Sequence, residues 1–188
     1  MAAPHDRPPQ PGQESAGEVR LAVSSSALDR LLARTPFTRV YGFRVAGLGA
    51  GECVIRVPFR SRFERPGGIV SGPVFMTAAD VAMWLAIKTV LGPHDGSVTA
   101  GMTTTFLRPV RRCAFHCRAR ILKLGRRLVY GVAESVAADG ALLAHHTLTY
   151  ARPESSRGSR TQPGESRERG GPAARATRPR RAGTGAVA

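Results

Sequence analysis

The chain has 188 residues, 42% of them hydrophobic, which suits one domain with appendages and provides enough apolar side chains for a core. No run approaches the ~18 uninterrupted apolar residues of a membrane span, the N-terminus lacks the apolar stretch of a secretory signal, and three cysteines make no disulfide framework, so a reducing cytoplasm is the expected setting. The net charge of +15 is not confined to the ends: nine arginines against three glutamates follow Ala151, two arginines against three acids precede Leu21, and about +10 remains on residues 21–151, which suggests an anionic ligand.

Residues 1–20 and 152–188 are poor in large apolar side chains and rich in Pro, Gly, Ser and Arg, so both are expected to be disordered around a domain spanning 21–151. The arginine tail lacks the interleaved aromatics on which bases stack, so it reads as solubilising, and neither nucleic acid nor a membrane is an expected partner. Within the domain, Ser25 to Arg34 starts on serines able to cap a helix and sets Leu28, Leu31 and Leu32 on one face. Strands are predicted around 41–48 and 52–58, joined at Gly49-Ala-Gly51, followed by a loop at Arg65-Pro-Gly-Gly68. Pro73 to Leu91 reads as a long helix closed by Gly92-Pro93, apolar nearly all round and therefore enclosed by something. Strands over 97–107, 113–124, 127–138 and 141–150 complete a predicted four-strand antiparallel meander, with Asp139-Gly140 as a hairpin turn. The fold class is α+β, a curved antiparallel sheet wrapped around a central helix.

Asp80 is the anomaly on that helix. An ionised carboxylate in an apolar helix costs several kcal/mol unless it is paired or hydrogen-bonded. Either Asp80 is held by a structural partner, or it is a base or nucleophile at the bottom of a cleft; the residues leave both open. Ser71-Gly72-Pro73 opens the helix, so the Gly72 N–H lies at the positive end of the helix dipole, where a developing oxyanion would be stabilised. Eight residues of helix place Asp80 about 12 Å from Gly72, so spacing alone does not join them in one site.

Three segments in order, Gly68-Ile-Val-Ser-Gly-Pro-Val-Phe-Met-Thr-Ala-Ala-Asp80, Phe106-Leu-Arg-Pro109 and Leu124-Gly-Arg-Arg-Leu128, resemble the PaaI-type acyl-CoA thioesterases of the hotdog fold over residues 36–151. The resemblance implies a homodimer or a dimer-of-dimers tetramer with its active site between subunits. It assigns Asp80 as the catalytic carboxylate, the Gly72 N–H as oxyanion donor, and Thr99, from the neighbouring subunit, as the group orienting water. Arg108, Arg126 and Arg127 lie where the family's basic residues meet the phosphates of coenzyme A. The chain departs from the pattern in having Ser71 for the family's His, Pro73 for its second Gly, and Arg65 where many members carry Asn or Gln. No cofactor is expected beyond the coenzyme A of the substrate. Phe75, Met76, Met83 and Trp84 suggest room for an apolar acyl or aryl group, with Met83 and Trp84 otherwise read as core. A catalytically inactive acyl-CoA-binding module is the alternative.

Other constellations point elsewhere. On a strand, alternation sets Cys113 and Cys117 on one face and His116 on the other, and His145 and His146 on opposite faces, so no metal site is expected. Neither a Ser, His and Asp set in a nucleophile-elbow context nor a Gly-rich phosphate loop is present.

Overall fold

The computed structural model describes residues 21–153. The disorder expected of residues 1–20 and of most of 152–188 lies outside the described residues. Helix α1 (Ser25–Arg34) is capped by Ser24, whose hydroxyl accepts from the Ala27 N–H at 3.2 Å, and it buries Leu28 and Leu32. Helix α2 (Pro36–Tyr41) replaces the start of the predicted first strand: Pro36 suits the first helical turn, and Gly42, at φ 70°, ends it. Strands β1 (Arg44–Gly49) and β2 (Glu52–Val57) form the expected hairpin. A short ribbon, β3 (Glu64–Arg65) and β4 (Ile69–Val70), leads into α3 (Gly72–Leu91). Strands β5 (Val98–Phe106), β6 (Phe115–Leu124), β7 (Leu128–Val136) and β8 (Leu142–Ala151) follow.

All pairings in the six-stranded sheet are antiparallel, and the order is β1-β2-β6-β7-β8-β5. The last four strands are therefore not a simple meander. Strand β5 leaves β6 and pairs with β8 at the sheet's edge. Its exit explains why: the N–H groups of Leu107 and Arg108 both donate to the Leu143 carbonyl, at 2.8 and 3.0 Å, and the chain then crosses to reach β6. The turn at Gly125–Arg127 and that at Ala137–Ala141 are too short for anything but a hairpin, and there the sequence expectation holds.

Helix α3 packs mainly on β2, β6 and β7, with twelve of its 20 residues buried. By length and composition it could cross a membrane, but 67% of the apolar window is buried inside the protein, which makes it the core helix. Small residues let it lie close: Ala78, Ala79, Ala82 and Ala86 of α3, and Ala119 and Ala133 of the sheet, are all fully buried. Gly131 is the tightest point, since a Cβ there would stand 2.5 Å from Met83 Cε and 2.5 Å from the Arg120 carbonyl oxygen. The domain also runs past Ala151, because the Arg152 N–H donates to the Arg127 carbonyl and its guanidinium to the Gly125 carbonyl, both at 2.8 Å.

Polar side chains too are enclosed with this core, among them Thr38, Ser135 and His146. His146 is fully buried, with Nδ1 2.9 Å from the Thr104 hydroxyl and Nε2 without a partner among the described residues. Burial, and secondarily the neighbouring His145, push its pKa down from 6.5 to about 4. The folded protein holds the ring neutral while the unfolded chain protonates it, so the neutral ring's contribution to stability is complete above about pH 6.5 and is lost as pH falls towards 4. Urea titrations of wild type and His146→Gln should show a stability gap that narrows or reverses between about pH 7.5 and 5. A gap independent of pH would refute this.

Candidate active site

Helix α3 brings Asp80, half-buried, against the β5 edge of the sheet. The Thr99 hydroxyl donates to Asp80 Oδ1 at 2.6 Å. The Tyr150 hydroxyl stands 2.7 Å from the same Oδ1 and 2.7 Å from the Asp80 carbonyl oxygen. Thr99 and Tyr150 are direct partners on the β5–β8 ladder, so sheet register delivers both hydroxyls to one carboxylate oxygen. Burial and the adjacent Asp80 charge hold the phenol well above its ordinary pKa, so it stays protonated and acts as a donor. The three residues open on a cavity of about 370 Å³ whose apolar wall is Phe37, Val81, Trp84 and Val98. The setting places a hydrogen-bonded carboxylate beside an apolar wall.

Gly72 is elsewhere. It lines a second cavity, of about 500 Å³, with Arg65, Phe75, Phe106 and Arg108. As the first residue of α3, its N–H has no intrahelical acceptor, and Pro73 next to it brings no N–H at all. The Val74 N–H is taken by the Ser71 carbonyl at 3.1 Å, so Gly72 is the backbone donor left at this end. The Phe106 ring lies over it: a Cβ on Gly72 would come within 3.0 Å of Phe106 Cζ. Ser71 is the N-cap residue, but its hydroxyl makes no capping bond. The cavity's outer wall is the 107–112 loop, pinned to the β3–β4 ribbon by the Val70 N–H to Val110 carbonyl bond of 2.8 Å and by the Arg112–Glu64 ion pair of 3.0 Å.

Among the residues expected at the site, Asp80, Thr99 and Trp84 come together, and separately Gly72, Arg65, Phe75 and Arg108. Within one chain the two groups do not meet. Thr99 was expected from a neighbouring subunit; here it reaches Asp80 of its own chain, because β5 lies alongside α3. Arg126 and Arg127 sit at the β6–β7 turn and line neither cavity, and Met76, 40% exposed, lines neither as well. Trp84 is half-buried rather than core, with the Lys88 ammonium 5.0 Å from its ring centroid. Met83 is core, as expected. Phe75 is buried and stacked on Phe115 at 4.5 Å. Sequence reasoning missed Tyr150, Phe37 and Phe106. Tyr150 had a signal: it shares the inward face of β8 with Leu148 and His146, and a buried tyrosine hydroxyl needs a partner.

Residues 67–144 match the thioesterase superfamily. A candidate esterase of Saccharolobus solfataricus is 31% identical over 99 residues, which are 53% of this chain and 70% of the relative. A candidate thioesterase of Silicibacter sp. TM1040 superposes with a TM-score of 0.64 at 32% identity, covering 71% of this chain and 94% of its own. A mutant of the phenylacetic acid degradation protein PaaI from Thermus thermophilus superposes with a TM-score of 0.58 at 29% identity, over 63% of this chain and 100% of that one.

Neither the cysteines nor the paired histidines enter these cavities. Cys117 is buried on the inner face of β6, while Cys113 precedes the strand and is exposed, so the two do not share a face as strand alternation had predicted. His145 and His146 do point to opposite faces. Among the described residues no three His, Cys, Asp or Glu side chains converge as metal ligands. Burial pushes the Cys53 and Cys117 thiols up to about 12, which leaves them un-ionised at neutral pH. Iodoacetamide at neutral pH should therefore label Cys113 alone in the folded protein, and all three cysteines in denaturant. Fast labelling of Cys117 in the native protein would contradict this burial.

Proposed function

We propose that this chain, which belongs to the thioesterase superfamily, is a PaaI-type thioesterase that hydrolyses acyl-CoA thioesters at sites assembled between two copies. The observation that carries this reading is the position of the two half-sites at opposite ends of one open edge strand. Gly72 stands by Phe106 and Asp80 by Thr99, so α3 and β5 run in opposite directions. The β5 edge away from β8 has no neighbour among the described residues, and all of its residues but Met102 and Thr104 are exposed. A nine-residue strand left open invites pairing. A twofold axis near Met102 and Thr103 would pair β5 with its copy antiparallel. Thr99 of one chain then faces the partner's Phe106, and Asp80 the partner's Gly72.

The chemistry follows from the parts. The thioester carbonyl accepts from the Gly72 N–H at the positive end of α3, while Asp80 of the other chain either takes a proton from attacking water or attacks the carbonyl carbon itself. Charge developing on the oxygen is stabilised, and coenzyme A leaves as its thiolate. The acyl group would occupy the cavity of Phe37, Trp84 and Val98. Arg65 and Arg108 line the Gly72 cavity and would meet the phosphates of coenzyme A, in keeping with the basic balance of the domain. Arg126 and Arg127 reach coenzyme A in this reading only from a further chain. Such an enzyme needs no cofactor or metal and would work in the cytoplasm.

Free-thiol release from butyryl-, palmitoyl- and benzoyl-CoA tests the reading. Asp80→Asn should lower kcat by about a hundredfold or more. Saturable binding without thiol release, seen by calorimetry, would make the chain an acyl-CoA-binding module instead. The shared site has its own test. Coexpressed Asp80→Asn and Gly72→Val subunits, each inactive alone, should regain about a quarter of wild-type activity, since half the dimers are mixed and each holds one intact site. No recovery in proven mixed dimers would exclude a site shared in this way.

A further inference from the structure

Asp80 has two oxygens, and the fold treats them differently. Both hydroxyls that reach the carboxylate, Thr99 at 2.6 Å and Tyr150 at 2.7 Å, go to Oδ1; Oδ2 takes no hydrogen bond from a described residue. Tyr150 has one proton and two acceptors at 2.7 Å. The Asp80 carbonyl already accepts within the helix from the residue one turn on, and a carboxylate is the stronger acceptor, so the proton goes to Oδ1. The phenol is closely held: Tyr150 is 2% exposed and sits between Val129 of β7 and Thr99 of β5 on the ladder.

We infer that Tyr150 is a positioning residue that, with Thr99, clamps Asp80 by Oδ1 so that Oδ2 is the oxygen that reacts. The inference rests on the thioesterase reading above and deepens it. A carboxylate on a single χ1–χ2 hinge swings between rotamers; two hydroxyls from adjacent strands remove that freedom and leave Oδ2 as the oxygen without a partner among the described residues. When Asp80 acts as base, Oδ2 takes the proton of the water whose oxygen bonds to the thioester carbon. The C–S bond then breaks with its electron pair on sulfur, and the acid forms. In this step Tyr150 transfers no proton and only donates its hydrogen bond to Oδ1. Its hydroxyl acts through the carboxylate it touches.

Three variants of the full chain, assayed with butyryl-, palmitoyl- and benzoyl-CoA, test the inference. Tyr150→Phe keeps the ring and its packing and should lower kcat about tenfold or more while KM stays within about twofold. Combined with Asp80→Asn it should cost nothing further, because a neutral amide takes no proton from water and its placement no longer matters. Losses equal in both backgrounds, or kcat unchanged in Tyr150→Phe, would overturn the inference. If Asp80→Asn retains wild-type activity, it is the thioesterase reading that fails. A readout independent of turnover keeps the two apart. In protein carrying 13Cζ-tyrosine at neutral pH, the Tyr150 resonance, assigned by its loss in Tyr150→Phe, should move upfield in Asp80→Asn, because a phenol that donates to a carboxylate is deshielded at Cζ. The same shift in both would show that the phenol does not bind the carboxylate.

Discussion

A helix without a polar stripe cannot rest on a surface; it has to be enclosed, and the rest of this domain follows from how closely the sheet can approach α3. Four alanines on the helix, two on the sheet and Gly131 beneath Met83 replace bulk with proximity. Dispersion contacts grow as the two backbones near each other, and the larger side chains, Leu85, Ile87, Ile55 and Phe115, fill the space left on either side. Asp80 is tolerated only because α3 runs out from under the sheet at β5, the edge strand, where the carboxylate stays half-exposed and finds two hydroxyls.

The displacement of β5 to the edge beside β8 thus has consequences well beyond topology. Had β5 paired with β6 as in a meander, Thr99 and Tyr150 would lie on strands that do not touch, and no two neighbouring strands would have delivered hydroxyls to Asp80. As it stands, the β5–β8 ladder sets Thr99 opposite Tyr150, and the same ladder sets Phe106 opposite Ala144, where the ring is free to lean over Gly72. One strand therefore shapes both half-sites, and its other edge is the place where they can be joined.

Much of this was legible in the sequence. The long apolar run of residues 73–91 with its flanking Pro and Gly gives the helix to within a residue, and the Asp139-Gly140 turn gives the last hairpin. The carboxylate on an apolar helix marks Asp80 without any structure. What stayed hidden depends on tertiary pairing. Strand order is set by the bond of Leu107 and Arg108 to Leu143, a contact 35 residues apart that no local pattern encodes. Helix α2 escaped because six residues are too few to show a period, although Pro36 and Gly42 bracket it. Tyr150 read as the last residue of a strand, and only the ladder register reveals that its hydroxyl meets Asp80.

The departures at the helix entrance fit this division. Pro73 removes a donor and the Ser71 carbonyl occupies that of Val74, so the first turn offers the Gly72 N–H, the helix dipole and the uncommitted Ser71 hydroxyl. A proline second in a helix fixes φ where the helix needs it, which holds Gly72 at one angle to the cavity. The entrance to α3 thus offers one uncommitted backbone donor, the Gly72 N–H, on a stiff first turn. The carboxylate end is equally constrained, since two strands fix Oδ1. Neither end can adjust by much to a badly placed carbonyl. The adjustable element lies between them, in the exposed rings of Phe106 and Phe37 at the mouths of the two cavities. In the proposed reading, selection among acyl groups would fall to these rings and to Trp84, while the polar groups stay where backbone and ladder put them.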